Sequence, residues 1–414
     1  MFVKFERQES ALIVQFECDD DEPVRAYPAM ASNSFTIGLD HPSTYDHIHP
    51  DHLALIAILV ARPWMNSTLR LSHPISTVMS AAFAANNIEA GPVDEKLGPY
   101  NPEVVGYMGL AYSGGADSTA ALSVLPPTTI PVFLDRPSSE RSLYVKDMAL
   151  QSCDRLRDIG YHVIVSSCDL EHVRQPIGFP TDLANGAPAI AHAAKLNLSS
   201  ISYGTVFESL YGLGRTKFKD YELTSHKKKW WMLFESAGLP LSFPVGGVSE
   251  VGTELICEQS PFKSLARSCI RGTIDSPCNR CWKCFRKSTL KQALGLRNQE
   301  PEVLALLLSA REVKTKLSAL PISHENVLLY NFARLDLSMY PPSFKDRFSF
   351  QHDLEYLERW YSPSLAYVHT PFRDGVQARI LEYLRIMSAS DEGEVKTWDI
   401  QDRTAAISPL KYDL

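Results

Sequence analysis

Ala111-Tyr112-Ser113-Gly114-Gly115-Ala116-Asp117-Ser118-Thr119 is the stretch whose reading decides the fold. The apolar run Val104-Val105-Gly106-Tyr107-Met108-Gly109-Leu110 precedes it and predicts a buried strand. Thr119-Ala120-Ala121-Leu122-Ser123-Val124-Leu125 follows and predicts a short helix, stopped by Pro126-Pro127. Strand, glycine-rich turn and helix together make an anion site. The glycines let the backbone approach a phosphate without Cβ atoms in the way, and the first-turn amides of the helix point at it. Ser113, Ser118 and Thr119 add hydroxyl donors. Asp117 is the odd member, because a carboxylate repels phosphate unless Mg²⁺ lies between them. The turn lacks the lysine of a Walker A loop, so a nucleotide would be held differently.

Outward from this turn, strands and helices alternate. Ile130–Leu134 reads as a second strand ending at Asp135, Glu140–Ile159 as a helix, Tyr161–Ser166 as a third strand, Ala187–Ala194 as a helix and Ser199–Gly204 as a further strand. Alternation at this spacing predicts an α/β fold with a doubly wound, mostly parallel sheet whose ligand lies at the C-terminal strand ends. On that rule Asp135, Ser167 and Cys168 share a crevice with Ser113–Asp117, and Glu208 stands just past the later strand. Cys153 falls on the apolar face of its helix and reads as core. The stretch Tyr211–Trp231 is basic and carries Arg215, Lys217, Lys219 and Lys227-Lys228-Lys229; it reads as a solvated surface or a phosphate or protein contact.

The second chemical signal is Cys269, Cys278, Cys281 and Cys284, spaced Cys-x8-Cys-x2-Cys-x2-Cys. The x2 spacings let one turn offer neighbouring sulfurs while the longer loop brings Cys269 round, so four thiolates close a tetrahedral shell. Arg267, Arg271, Arg280, Lys283, Arg286 and Lys287 would soften its negative charge. Structural zinc is the reading, since no ligand position is left open; a [4Fe–4S] cluster takes the same ligands.

Ser113-Gly114-Gly115-Ala116-Asp117-Ser118 resembles the Ser-Gly-Gly-x-Asp-Ser signature of the PP-loop (HUP-like) ATP pyrophosphatases. With the cysteine motif and the Phe285-Arg286-Lys287 that follows it, residues 105–290 resemble the QueC-type 7-cyano-7-deazaguanine synthases. The resemblance implies ATP and Mg²⁺ at Ser113, Gly114, Gly115, Ala116, Asp117, Ser118 and Thr119, with Asp135 nearby, and zinc on the four cysteines. Ser113 and Asp117 would carry the chemistry: adenylation of 7-carboxy-7-deazaguanine, amide formation with ammonia, and dehydration to the nitrile. The segments Asp135-Arg136-Pro137-Ser138 and Glu208-Ser209-Leu210-Tyr211-Gly212 depart from the family, so recognition of the deazapurine is not carried over. The added flanks imply a specialised relative, of the kind found in bacterial antiviral operons, with ammonia, a protein amine or a persulfide as nucleophile and a protein substrate or defence-system partner. Two other readings use the same loop. A PP-loop tRNA sulfurtransferase would need Cys168 or another free thiol as sulfur carrier, and a non-catalytic subunit of a defence complex would bind ATP without turning it over.

Composition sets the frame. At 414 residues the chain can bury two or three cores, and 45% hydrophobic and 21% charged residues are ordinary for a soluble globular protein. A net charge of −7 makes wholesale nucleic-acid binding unexpected and leaves local basic patches open. The start of the chain is charged and alternating, the longest apolar run, Leu53–Val60, is too short for a membrane span, and a cytoplasmic location is expected.

The domains are expected at 1–102 (N-terminal α+β), 103–298 (PP-loop with the four-cysteine site) and 299–414 (helical). In the first, Phe2–Glu6 and Ala11–Glu17 predict a hairpin, and Pro50-Asp51 opens a helix that Pro63 ends. His41, Asp46, His47, His49, Asp51 and His52 fit no single helix face and read as a polar loop entering that helix. The last region predicts helices at Glu302–Leu308, Asn326–Leu335, His352–Trp360 and Gly375–Met387, an aromatic core, a polar break at Ser388–Glu394 and a loose tail.

Overall fold

The computed structural model describes residues 1–400 except 24–25, 104–105, 139–143, 215, 274–275, 299 and 349–353. Val104-Val105, Arg215, Phe350, the start of the Glu140 and His352 helices and the tail after residue 400 lie outside the described residues.

Strands β1 (Phe2–Gln8) and β2 (Ala11–Glu17) form the expected antiparallel hairpin. A two-residue strand β3 (Ala29–Met30) is followed by β4 (Ser34–Gly38), β5 (Thr68–Ile75) and β6 (Glu89–Val93), and the N-terminal sheet runs in the order β4-β2-β1-β5-β6. The helix Pro50–Ala61 is buried from Asp51 to Ala61. His49 at its N-cap accepts from the Asp51 amide at 3.2 Å, which fixes the turn before Pro50.

The second sheet is built from β7 (Tyr107–Tyr112), β8 (Ile130–Asp135), β9 (Ile164–Ser167), β11 (Leu198–Tyr203) and β12 (Leu241–Ser242), with β10 (Arg174–Gln175) pairing β3 instead. Its order is β12-β11-β7-β8-β9, and every pairing is parallel. The chain leaves β7 toward β8 and β9, then returns to the other side for β11 and β12. Parallel strands need crossovers and are covered on both faces. Met108, Leu110, Tyr112 and Phe133 pack with Ala120, Leu156 and Ile256 on one side. Ala111, Ile130, Val132 and Leu134 pack on the other with Ile190 and with Ile58 of the N-terminal helix. A bridge between Ile37 and Cys168 joins the two sheets.

Several elements differ from the sequence reading. The helix after the glycine turn begins at Ala116, not Thr119, and runs to Val124. The next helix spans Asp147–Asp158, because the Val145 amide donates to the Ile270 carbonyl at 2.8 Å and the chain before it is drawn to the cysteine loop. Around Glu355 there is a single 3-10 turn, Glu355–Glu358; the Trp360 amide donates to Arg385 at 2.8 Å and its carbonyl accepts from Met387 at 2.9 Å, which commits that backbone to pairing. Ser388–Glu394 is no break. Ser388 and Asp391 form a capping box that opens the helix Ala389–Lys396, and Val395 is buried beneath it. The aromatics Tyr330, Phe332, Tyr340, Phe344 and Phe348 are buried together as core.

Gly204, just past β11, holds the glycine turn in place. A Cβ there would stand 2.8 Å from the Ser118 nitrogen and 2.9 Å from the Asp117 carbonyl, both backbone atoms that cannot swing aside. Gly204→Ala should therefore lower stability by about 1–3 kcal/mol in urea unfolding. An unchanged midpoint would show that the two segments can separate freely.

Candidate functional site

The turn Ser113–Ser118 joins the C-terminal end of β7 to the helix Ala116–Val124. Gly114 has φ +71°, which favours glycine, and a Cβ on it would lie 3.2 Å from Ala149. Gly115 occupies the N-cap position without a side-chain cap. Helix geometry leaves the amides of Ala116, Asp117 and Ser118 without intrahelical acceptors. The Ser118 hydroxyl takes the Ser113 amide at 3.2 Å, meets the Ser113 Oγ at 3.1 Å and donates to the Gly115 carbonyl at 3.2 Å. Ser118 thus shapes the turn from inside, while Ser113 is exposed and Asp117 half-buried. Thr119 is fully buried, with its Oγ1 3.5 Å from the Tyr112 hydroxyl, so its side chain faces the core.

Asp135 ends β8 as expected but stands apart from the turn. Lys146 Nζ pairs with it at 2.7 Å, and it lines a separate cleft with Ser167 and Cys168 that includes none of residues 113–119. Cys168 is 3% exposed, and burial pushes its thiol well above the usual range. Cys153 is fully buried and burial raises its thiol to about 12. Neither is an accessible thiolate.

Two openings flank the turn. One cleft, of about 460 Å³, runs past Asp117, Gly204, Thr205 and Ser209 to Tyr221 and the pair Asp182–His226, whose atoms lie 2.9 Å apart. The other cavity lies between Ala116 and the cysteines and is edged by Arg267, Lys283, Lys287 and Lys291.

The sulfur atoms of Cys269, Cys278, Cys281 and Cys284 all lie within 4.8 Å of one another, with Cys278 and Cys284 at 3.8 Å. A tetrahedral zinc with Zn–S of about 2.3 Å sets sulfurs roughly 3.8 Å apart, so the shell fits. The Cys278 amide points at Cys269 Sγ and the Cys284 amide at Cys281 Sγ, both at 3.4 Å, leaving the thiolates hydrogen-bonded from behind. These four residues can hold a metal ion such as zinc.

The basic residues around the cysteines divide into two sets. Arg271 pairs with Glu312. Arg286 and Lys287 turn inward to Glu250 at 2.9 and 3.4 Å, and Lys287 and Lys291 reach Glu254 at 3.3 and 3.0 Å. Against the desolvation of burial, Arg286 and Lys287 hold the Glu250 carboxyl well below the usual carboxylate range. The same helix, Glu250–Gln259, holds the turn: Thr253 Oγ1 donates to Asp117 Oδ1 at 3.3 Å, and the Cys257 thiol donates to the Ala116 carbonyl at 3.2 Å. Sequence reasoning missed Glu250, Thr253, Glu254 and His324, because nothing in their local pattern marks them; Lys283, Lys287 and Lys291 at i, i+4 and i+8 were the available signal.

Glu208 accepts from the Glu250 amide at 3.0 Å. Burial first, and then the charge of Glu250, raise its carboxyl to about 7. His324, 3.4 Å from Glu250, is lowered to about 4 by burial and by Arg286, and so is neutral at pH 7.

Residues 229–399 match the model of a family described as a family of unknown function (DUF6395). That span contains the four cysteines and both helices of the ion cluster, and begins after the glycine turn. No curated protein and no solved structure matches the chain. Among the described residues no helix is long and apolar enough to cross a membrane.

Zinc-loaded protein should carry one ion per chain by elemental analysis, and Cys281→Ser should lose it; wild-type protein that stays metal-free after zinc loading would contradict the shell. In the native state Glu208 keeps its proton up to about pH 7, whereas an unfolded glutamate releases it near 4.3, so the native state binds more protons in that window and stability falls as pH rises. Glu208→Gln should therefore gain about 2–3 kcal/mol relative to wild type between pH 5 and pH 8. A stability difference independent of pH would refute it.

Proposed function

We propose that this chain is an ATP-dependent adenylating ligase of the QueC type. In this reading the sheet β12-β11-β7-β8-β9 is the doubly wound sheet of a PP-loop fold, and the reversal of strand order between β7 and β11 marks the ligand crevice. The observation that carries it is the Ser113–Ser118 turn: a glycine-permitted bend at the end of the central strand, with helix amides free to take phosphate and a carboxylate, Asp117, held at its edge by Thr253.

ATP lies with its phosphates on the amides of Ala116–Ser118. Asp117 is the residue that would hold Mg²⁺, which supplies charge neutralisation between carboxylate and phosphates. The substrate is a 7-deazaguanine carboxylate, 7-carboxy-7-deazaguanine being the nearest candidate. Its carboxylate oxygen attacks the α-phosphorus, the bond from that phosphorus to the bridging oxygen breaks, and pyrophosphate leaves with the electron pair. Ammonia or a protein amine then displaces AMP to form the amide, and a second activation could dehydrate a primary amide to the nitrile. The cleft from Asp117 to Asp182 and Tyr221 is the place for the acid, since it reaches the turn from the sheet's C-terminal edge. The cysteine centre has no open ligand position and serves structure. A bacterial antiviral setting, with a protein substrate or partner, fits the flanking regions; the burial of Cys168 counts against that residue as a sulfur carrier.

Incubation with ATP, Mg²⁺, 7-carboxy-7-deazaguanine and ammonia or candidate amines, read by mass spectrometry, should give AMP, pyrophosphate and an amide. Asp117→Asn should lower turnover at least ~100-fold with its melting temperature nearly unchanged. Wild-type turnover in that variant, or release of ADP and phosphate, would overturn the mechanism.

A further inference from the structure

We propose that the groove between the N-terminal region and the helix Ser225–Ser236 docks an acidic segment of a protein acceptor and leads its amine past Asp182 into the cleft beside Asp117. This rests on the ligase reading above for what the amine meets there, and it names the class of acceptor.

The groove measures about 520 Å³ and runs between two walls. Tyr27, Pro28, Arg62 and Pro63 form one wall and lie outside residues 105–290, the part that resembles the synthases. Arg174, residues 180–182 and the Lys229-Trp230 pair of the helix Ser225–Ser236 form the other. Hydrogen bonds join the walls: β3 pairs with β10, and the Thr181 hydroxyl donates to the Leu59 carbonyl at 2.6 Å, three residues before Arg62. Trp64 Nε1 pins the Pro28 carbonyl at 2.9 Å. Walls fixed in this way lose little freedom when a ligand enters. Tyr27 is 72% exposed, which leaves an aromatic ring at the groove's edge for a partner to cover.

Charge decides the occupant. Arg62, Arg174 and Lys229 line the groove, and Asp182 is the one acid among its described lining residues. None of the three cations forms an ion pair with a described residue. Arg62 Nε is buried without an acceptor, and Arg174 donates to the backbone carbonyls of Pro176 and Phe179 at 3.0 and 2.9 Å. The acids nearby are engaged elsewhere or turned to solvent. Glu171 pairs with Arg136 at 3.2 Å. In the opening beyond Arg62, Asp19 and Glu22 pair with the Met1 ammonium at 2.8 and 2.6 Å, and Asp21 is exposed. Burial, and then the neighbouring Arg62, lowers the pKa of the Lys229 ammonium, as expected for two cations close together with no acid paired to either.

Asp182 lines both this groove and the cleft that holds Asp117, so it marks the passage between them. Against the desolvation of burial, His226 at 2.9 Å holds the Asp182 carboxyl below its usual range, and it stays anionic. Cations along the groove with a carboxylate at its inner end call for the reverse pattern in the ligand: carboxylates on its body and an ammonium at its leading end. An acidic peptide with a free amine has that pattern. A polynucleotide has no cation to offer Asp182, and the chain's net charge of −7 repels it.

Fluorescence anisotropy on the full-length, zinc-loaded chain tests this with a peptide of alternating Glu and Ala, free at its amino end and labelled at its carboxyl end. Its amino-acetylated form, its Lys-for-Glu counterpart and an oligouridylate of equal length are the other probes. Arg62→Met with Lys229→Met should weaken the acidic peptide ~30-fold, and the Lys-for-Glu peptide should bind wild type at least ~10-fold more weakly. Acetylation should cost wild type ~5-fold and Asp182→Asn nothing. Zinc content and melting temperature should stay at wild-type values in the variants; if the double variant misfolds, Tyr27→Ala, at an exposed position, should still weaken the peptide ~5-fold. Wild-type affinity in a folded double variant, equal affinity for the two peptides, tighter binding of the oligouridylate, or no acidic-peptide binding at ~1 mM would each overturn the groove. A chain that forms AMP with ammonia yet fails these tests would lose the groove and keep the ligase reading. Peptide binding that depends on Arg62 and Lys229 in a chain that forms no AMP would uphold the docking and overturn ligation.

Discussion

Glu250 and Glu254 sit one turn apart on a buried helix, and the cations of the cysteine helix close on them. Buried charges are costly unless each finds a partner, so neither helix can be moved without exposing an unpaired ion to the core. Thr253, between the two acids, donates to Asp117. One helix therefore registers the glycine turn against the cysteine centre. The positions of both chemical motifs depend on that ion cluster more than on either motif alone.

This arrangement gives the cysteines a purpose beyond holding their own loop. A closed four-sulfur shell supplies no reactive ligand, but it fixes the first turn of a helix whose lysines recur every four residues. On the other side of the turn, Gly204 lets β11 approach within backbone contact of Asp117 and Ser118. The turn is thus clamped between a packed strand end and a charged helix, with space left on both sides.

Much of this is legible in the sequence, and for identifiable reasons. Hydrophobic periodicity marks the central strands, and the Cys-x8-Cys-x2-Cys-x2-Cys spacing places four sulfurs that do converge. The strand end at Asp135 is read correctly, but its lysine partner, Lys146, makes it an ion pair in a separate cleft. Thr119 reads as a loop hydroxyl only while the helix is started three residues late; with Ala116 as the first helical residue, Thr119 turns inward. Composition misleads at Ser388, where the polar residues are a capping box rather than a loop. Glu250, Glu254 and His324 leave no trace, because burial and charge pairing over long sequence separations are properties of the fold and not of any local spacing. Glu208 shows in the sequence only as an acid near a strand end, and its protonation depends on Glu250, 42 residues away.

The most direct test is a crystal structure of the zinc-loaded chain with Mg²⁺ and α,β-methylene-ATP, which cannot be cleaved at the bond in question. The account predicts density for the triphosphate on the amides of Ala116–Ser118 and for the metal against Asp117. Density for the nucleotide elsewhere, or an empty turn at saturating ligand, would contradict it.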